Sequence, residues 1–362
     1  MKELLADLAS GISGFQPARF RYGRFLFVLA ISLPAALLFV ALKTPLPWML
    51  GPMAACTLAA LFRLPVAVPS NIRAPMTVVL AVLLGSAFTP EIVQGMGAWL
   101  PSVIGLVLCI VVAGFVSVAY LRIVGKFDPA TAYFSGMPGG LVEMVVLGEQ
   151  RGADVPTIAL AHSARLLLTV FSVPFIVSLV TGVSIGRSST LRPSFIGMEF
   201  VDFGWMTLTA ILGVIAGYVF KLPARIFMGP MAVGAFIHAA GWSTAQPPAE
   251  LLNIAQLIIG SAVGCRFAGG SVPRVLQIFA LSAGSTTILL LVTAFFAFAL
   301  NQLGNFGFAP VFLAYAPGGL AEMCLIALAL HIEVAFVAAH HLVRVVLVLG
   351  GAGLAFNFFK RF

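Results

Sequence analysis

Six stretches of the sequence are apolar over a length that can cross a lipid bilayer. They lie at 24–42, 97–124, 155–182, 204–220, 275–300 and 334–357. A membrane-spanning helix needs about 20 mostly apolar residues. Only 9% of the residues are charged, whereas about a quarter are charged in a soluble domain. The sequence therefore excludes an ordinary soluble enzyme and a disordered chain, and it predicts an all-α integral membrane protein.

Six shorter apolar runs are interrupted by glycine and proline. They occupy 46–62, 75–88, 131–148, 226–242, 251–265 and 309–330. Breaks in a helix are tolerated at membrane depth where they are buried in protein or line a cavity. We therefore expect some of these runs to be broken or re-entrant helices. The sequence predicts 10–12 transmembrane helices, with six apolar segments in each half of the chain.

Short blocks of the sequence recur in the same order in the second half. MLGPM at 49–53 returns as FMGPM at 227–231, LLGSA at 83–87 as IIGSA at 258–262, and PGGLVEM at 138–144 as PGGLAEM at 317–323. This order predicts a tandem duplication. The predicted segments are a cytoplasmic N-terminal segment at 1–23, membrane repeat 1 at 24–184, a cytoplasmic linker at 185–202 and membrane repeat 2 at 203–362.

The positions of Lys and Arg predict the orientation of the chain. With six crossings in each half, twelve of these residues fall on one side. The other side receives six, namely Lys43, Arg151, Lys221, Arg225, Arg266 and Arg274. Because cytoplasmic loops carry the excess of Lys and Arg, both termini are expected in the cytoplasm. An even number of crossings makes the two repeats parallel, which is the favoured arrangement, whereas an odd number inverts them.

Four charged residues lie deep in apolar segments, and a histidine accompanies each pair. The two resulting triplets are Glu143, His162 and Arg165 in the first half and Glu322, His341 and Arg344 in the second. Charges at membrane depth usually pair, and they often mark a substrate or proton path. Arg165 is expected about 16 Å along its helix, on the same face as His162. We expect Glu143 to approach His162 or Arg165, and the second triplet to repeat this arrangement.

A Pro-Gly-Gly motif precedes each acidic residue of the triplets. Pro138 can begin a helix, and Gly139 and Gly140, like Gly318 and Gly319, allow close approach to backbone N–H groups. A helix N-terminus that points into a cavity attracts anions. The predicted solute-binding residues are therefore Arg165, Arg344, Gly139, Gly140, Gly318 and Gly319. The predicted proton-coupling or gating residues are Glu143, His162, Glu322 and His341. Two other interpretations remain open: buried Glu–Arg pairs that only fasten helices, and clusters that join the two halves.

No metal site or cofactor is expected, because the five histidines are scattered and no CxxC pair is present. The net charge of +8 lies mostly at the ends of segments, where it orients the chain and meets lipid headgroups. No basic run with interleaved aromatic residues occurs, so no nucleic-acid partner is expected. The expected partners are the lipid bilayer and a small-molecule solute, and a homo-oligomer is left open.

The duplicated blocks, GPM followed by GSA and then PGGLxEM with HxxR, resemble the AbrB family of bacterial membrane proteins. The resemblance extends from about residue 25 to the end, and it implies an internally duplicated, multi-pass protein of the bacterial inner membrane. This family is unrelated in fold to the small soluble regulator of the same name. Its members carry labels such as ammonia monooxygenase or regulator of gene expression.

These two labels can be compared with the residues of the chain. Ammonia oxidation would need copper or iron held by clustered His and carboxylate ligands, so we expect that the chain is not an oxygenase. No soluble region is long enough for a DNA-binding domain. The leading hypothesis is a secondary transporter of a small, anionic solute, coupled to protons. The alternative is a membrane sensor or regulatory protein that affects gene expression without transport.

Overall fold

The computed structural model describes residues 22–182, 194–304 and 306–359. Most of the predicted N-terminal segment and the first half of the predicted linker, 185–193, lie outside the described residues. The described part is helical and contains no strand. Its helices are α1 (Tyr22–Ala41), α2 (Pro47–Leu61), α3 (Ser70–Gly85), α4 (Pro90–Gly95), α5 (Leu100–Ile123), α6 (Pro129–Gly136), α7 (Leu141–Glu149), α8 (Val155–Thr181), α9 (Phe200–Val219), α10 (Arg225–Ala239), α11 (Ala249–Gly264), α12 (Val272–Leu303), α13 (Phe308–Tyr315), α14 (Leu320–Ala329) and α15 (Val334–Phe359).

Six of the helical segments are long and apolar enough to cross a membrane, and they coincide with the six long stretches of the sequence. They are Tyr22–Ala41, Pro90–Ile123, Val155–Thr181, Phe200–Val219, Val272–Leu303 and Val334–Gly353. Helices α2, α3, α10 and α11 have 15 or 16 residues each. The prediction of an all-α integral membrane protein is confirmed.

The helices group into two compact units, and each unit takes helices from both halves of the sequence. Unit 1 contains α1 to α4 and α9 to α11, and unit 2 contains α5 to α8 and α12 to α15. The predicted boundaries at 184 and 203 divide the sequence and do not separate the compact units. The duplication itself stays a prediction from the sequence.

In unit 1, glycine allows the helices of the GPM blocks to pack backbone against backbone. A side chain on Gly51 in α2 would meet the carbonyl oxygen of Ala35 in α1 at 2.5 Å. A side chain on Gly229 in α10 would collide with the carbonyl oxygen of Gly213 in α9. Small residues at such crossings are typical of helix packing in membranes. Lipid gives no hydrophobic driving force between helices, so they associate through close van der Waals contact.

In unit 2, α6 and α7 form a re-entrant hairpin whose tip is the first Pro-Gly-Gly motif. Near the start of α8, the N–H of Asp154 donates to Oγ1 of Thr131 in α6 at 2.8 Å. Farther along, Arg165 of α8 contacts Met137 at the end of α6, so α6 runs parallel to α8. A side chain on Gly148 near the end of α7 would meet the start of α8. Helix α7 therefore returns to the end from which α6 entered.

The second hairpin, α13 and α14, has the same relation to α15. His341 contacts Leu313 within α13, and Arg344 contacts Ala316 just after it. Helices α6 and α13 have eight residues each, which corresponds to about 12 Å of helix. Each hairpin thus reaches less than half of a hydrocarbon core of about 30 Å.

Helices α5 and α12, which occupy corresponding places in the two halves, run in opposite directions. A side chain on Gly105 would meet Leu300 at 3.0 Å. Farther along α5, Ser117 shares a hydrogen bond of 2.7 Å with Ser285. Because the numbers rise along α5 while they fall along α12, the two helices are antiparallel. This is the arrangement of inverted repeats, and the favoured prediction of parallel repeats with six crossings each is wrong.

The hairpins also correct the assignment of charges to the two sides. A polar cleft of about 550 Å³ in unit 2 is lined by both Lys126 and Arg274, which the sequence analysis had placed on opposite sides. The assignment counted residues 131–148 as a crossing. The chain instead turns back at the Pro-Gly-Gly motif, and every later segment up to the second hairpin therefore runs opposite to the direction first assigned.

Asp154 is the N-cap of α8. Its Oδ1 accepts a hydrogen bond from the N–H of Thr157 at 3.3 Å, and its Oδ2 pairs with Arg274. In the second half, Glu333 precedes α15, and burial raises the pKa of its carboxyl group above the ordinary value. The two acids thus share a helix position in different surroundings.

We expect Asp154→Ala to lower the free energy of unfolding by about 1 kcal/mol, because it removes a helix cap. Arg274→Gln keeps the cap and removes the ion pair, whose partners are 54% and 38% exposed. Such an exposed pair contributes about 0–1 kcal/mol, so this variant should unfold close to the wild type. Thermal unfolding in detergent measures both variants, and an equal loss would show that the ion pair matters more than the cap.

Candidate functional site

Two side chains of α8 hold the tip of the first hairpin. Arg165 donates from Nη1 to the carbonyl oxygen of Met137 at 2.9 Å and from Nη2 to that of Gly139 at 3.2 Å. His162 bonds through Nε2 to the carbonyl oxygen of Phe134 at 2.7 Å. Both side chains are buried. They donate hydrogen bonds to carbonyl groups that the helix break leaves without partners. The positive charge of Arg165 also interacts favourably with the helix dipole at the C-terminus of α6.

The second hairpin is held in the same way by α15. Arg344 donates from Nη1 to the carbonyl oxygen of Ala316 at 2.6 Å and from Nη2 to that of Gly318 at 2.7 Å. His341 bonds through Nε2 to the carbonyl oxygen of Leu313 at 3.0 Å. Each of these residues lies 179 positions after its counterpart. The two copies of the motif therefore resemble each other in their contacts as well as in their sequence.

The second nitrogen of each histidine distinguishes the two tips. A carbonyl oxygen only accepts hydrogen bonds, so Nε2 of His162 carries a proton. Its Nδ1 accepts a hydrogen bond from Nη2 of Arg165 at 2.6 Å, which leaves the ring neutral. Nδ1 of His341 is buried and has no hydrogen-bond partner among the residues that the structure describes.

The expected pairing of Glu143 with His162 or Arg165 is wrong. Within the described ranges, no hydrogen bond or ion pair joins Glu143 to either residue. Arg344 likewise makes no ion pair in this part of the chain. Main-chain carbonyl groups take the place of the carboxylates, because a helix break supplies acceptors that an intact helix would use internally.

The acidic residues nevertheless lie at the hairpin tips. Gly140 and Gly319 are the N-caps of α7 and α14. A side chain at either glycine would collide with Oε2 of Glu143 or Glu322. A glutamate three residues after an N-cap can fold back over the first turn, where the helix dipole and unpaired N–H groups attract it. The predicted anion site at each helix start therefore lies beside a carboxylate of the protein itself.

Each hairpin tip packs on the long helix of the other half. A side chain on Gly139 would meet Cγ1 of Val348 in α15 at 2.9 Å. A side chain on Gly319 would meet Cδ1 of Leu166 in α8 at 3.1 Å, and Leu166 directly follows Arg165. The two tips thus lie close together in unit 2, with their arginine residues buried and their glutamate residues half-buried.

The structure adds a buried polar cluster that the repeat analysis missed. His340 contacts Oγ of Ser102 at 2.7 Å through Nε2 and the carbonyl oxygen of Phe336 at 2.8 Å through Nδ1. The hydroxyl group of Tyr315 donates to the carbonyl oxygen of Ser102. Because Ala161 stands at the corresponding place in the first half, the duplication gave no signal for this cluster. Its only sign in the sequence was a polar residue within an apolar span.

No group of three His, Cys, Asp or Glu side chains in the described ranges is arranged to hold a metal ion. The four cysteines are free thiols. Cys56, Cys109 and Cys324 are buried, as expected of cysteines that pack as small hydrophobic residues.

Two curated bacterial proteins are similar to this chain. One is "Putative regulator AbrB" of Escherichia coli (strain K12), which is 24% identical over 321 residues that cover 87% of this chain and 90% of the relative. The other is "Uncharacterized protein YhjN" of Bacillus subtilis (strain 168), which is 26% identical over 238 residues. That second match spans 62% of each protein.

A family model confirms the resemblance that the repeated blocks indicated. The model described as "AbrB: Transition state regulatory protein AbrB" matches residues 48–360. Its match includes both Pro-Gly-Gly hairpins and all six residues of the two charged triplets. Since the match covers most of the sequence, this chain belongs to the AbrB family.

Proposed function

We propose that this protein is a secondary transporter of a small organic anion, coupled to protons, in the inner membrane of a bacterium. The observation that carries the proposal is the pair of oppositely directed, re-entrant hairpins whose tips lie together inside unit 2. Solute sites of many secondary transporters are formed by discontinuous helices near the middle of the membrane, at the interface of inverted repeats.

The two arginines supply the positive charge of the proposed site. Of the five N–H donors of a guanidinium group, Arg165 uses three and Arg344 uses two in the described contacts. The remaining donors are available to a solute. A buried cation is costly without a negative partner, which favours an anion at the tips.

The carboxylates of Glu143 and Glu322 provide the proposed coupling to protons. Each lies at a helix start, where an anionic solute would also be attracted. Protonation removes the negative charge of the carboxylate and with it the competition for that helix start. Binding of an anion and binding of a proton therefore favour each other, as transport of both in one direction requires.

The corrected topology supports cytoplasmic termini. With five crossings in each half, one side receives fifteen of the twenty Lys and Arg residues: Lys2, Arg19, Arg21, Arg24, Arg63, Arg73, Arg122, Lys126, Arg151, Lys221, Arg225, Arg266, Arg274, Lys360 and Arg361. The other side receives Lys43, Arg187 and Arg192, so this count assigns the linker at 185–202 to the side opposite the termini and not, as first predicted, to the cytoplasm. This asymmetry is stronger than the twelve against six that six crossings in each half would give, and it favours a cytoplasmic position for the fifteen.

Uptake of labelled organic anions into proteoliposomes tests the proposal. We expect an inward proton gradient to drive uptake. The double variant Glu143→Gln, Glu322→Gln should lose this gradient-driven uptake, since it has no carboxylate to protonate, and should keep exchange of anion for anion. Empty liposomes and the Glu149→Gln variant, at the exposed end of α7, are the controls. Binding without any flux would contradict transport.

A membrane sensor or regulatory protein is the second candidate, and the name of the Escherichia coli relative favours it. A sensor would bind the same kind of anion through the same tips without moving it across the membrane. Absence of flux together with anion binding is the result expected of this alternative. In either case we expect no enzymatic activity, no cofactor and no nucleic-acid partner.

A further inference from the structure

The tip of the second hairpin contains a hydrogen-bond acceptor that the first tip does not offer. Nε2 of His341 donates to the carbonyl oxygen of Leu313, so in the neutral ring Nδ1 is the acceptor. This Nδ1 has no partner among the described residues, and the side chain is 0% exposed. A buried polar atom without a partner costs free energy, which indicates a ligand group at this position.

Donors lie on the same helix face as this acceptor. Arg344 is three residues after His341, and the two side chains bind carbonyl groups of the same hairpin. In the first copy, the corresponding Arg and His side chains contact each other directly at 2.6 Å. In the second copy, Arg344 and His341 make no such contact. Arg344 uses two of its five N–H groups in the described hydrogen bonds, so three remain for a ligand.

A single ligand that satisfies both side chains must donate to Nδ1 of His341 and accept from Arg344. A carboxylate accepts from Arg344 and has no donor for Nδ1 of His341. A hydroxyl group on the same ligand supplies that donor. We propose that the second tip binds an organic anion that carries a hydroxyl group, with its carboxylate on Arg344 and its hydroxyl donating to Nδ1 of His341.

This assignment rests on the proposed function and narrows it in two respects. It names the chemical class of the solute, a hydroxycarboxylate. It also places the binding step at the second tip, because Nδ1 of His162 is already occupied by Arg165. A site built to pair with a hydroxyl group discriminates strongly against the analogue that lacks it, because the buried acceptor is then left unpaired.

Two glutamine variants separate the second tip from the first. His341→Gln retains an N–H group that can reach the carbonyl oxygen of Leu313 and removes the acceptor Nδ1. His162→Gln is the matched control in the first copy. The probes are lactate with propionate and malate with succinate, and the members of each pair differ by one hydroxyl group. Calorimetric binding to the purified full-length protein gives the affinities, and thermal unfolding shows that each variant is folded.

We expect the wild type to bind each hydroxy acid at least about tenfold more tightly than its partner, the usual effect of one hydrogen bond to a buried group. His341→Gln should abolish this preference while it binds propionate and succinate as before, and His162→Gln should keep it. Equal affinities within each pair in the wild type, or equal losses in the two variants, would overturn the inference and leave transport standing. If none of the four anions binds to the wild type, the inference and the proposed function both fail.

Discussion

Arg165→Met should lower the unfolding temperature of the purified protein by roughly 5–10 °C. The substitution leaves two carbonyl groups and Nδ1 of His162 without their donor. Each hydrogen bond between helices in a membrane protein contributes about 0.6–2 kcal/mol. For a compact unit of about 150–250 residues, the size range of unit 2, 1 kcal/mol corresponds to about 2–4 °C. Arg344→Met should have a smaller effect, because this side chain makes two such bonds.

Lysine at the same position separates the charge from the geometry of the hydrogen bonds. Arg165→Lys keeps a positive charge but cannot reach two carbonyl oxygens and an imidazole with a planar fork. We expect its unfolding temperature to lie between those of the wild type and of Arg165→Met, as measured by light scattering and intrinsic fluorescence in detergent. A rise in the unfolding temperature of Arg165→Met would show that the desolvation cost of a buried cation exceeds its hydrogen bonding.

Gly213→Ala should prevent stable folding of unit 1. The added Cβ atom would collide with Cα and N of Pro230, which belong to the backbone of α10. Overpacking costs about 1–3 kcal/mol where side chains can move, and here neither contacting group is a side chain. We expect little folded protein after membrane extraction, judged by size-exclusion chromatography, and an unfolding temperature well below that of the wild type in any protein recovered.

Gly204→Ala is the matched control on the same helix. Nothing lies within 4 Å of a Cβ atom added at Gly204, so alanine should gain up to about 1 kcal/mol from its higher helix propensity. The same substitution at two positions nine residues apart is thus expected to change the free energy of unfolding in opposite directions. If both variants behave alike, close packing at the GPM block is not what stabilises the pair α9 and α10.

Much of this arrangement could be predicted from the residues. The six long apolar stretches became the six long helices. The recurrence of PGGLxEM with HxxR identified the side chains that meet at the hairpin tips. These features follow from hydropathy and from spacing along one helix, which are local properties of a sequence.

The path of the chain at Pro138 could not be predicted in the same way. Residues 129–149 are together about as long as a membrane-spanning helix, and a break in such a run is compatible with crossing or with turning back. The hydrogen-bond partners of Arg165 could not be predicted either. Every residue has a carbonyl group, and no residue type indicates which carbonyl groups a helix break leaves without a partner. The sequence suggested a carboxylate because Glu143 was the acidic residue deep in an apolar segment of the same half.

The antiparallel course of α5 and α12 has a consequence for biosynthesis. Two similar halves that enter the membrane in opposite directions need different distributions of basic residues to steer their insertion. Arg122 corresponds to Asn301, and Arg266 corresponds to Glu91. Arg165 and Arg344, which hold the hairpins, are the same in both halves. Lys43 and Lys221 also occupy corresponding positions, so the basic residues near the membrane surface have diverged only in part, whereas both arginine residues of the interior are common to the two halves.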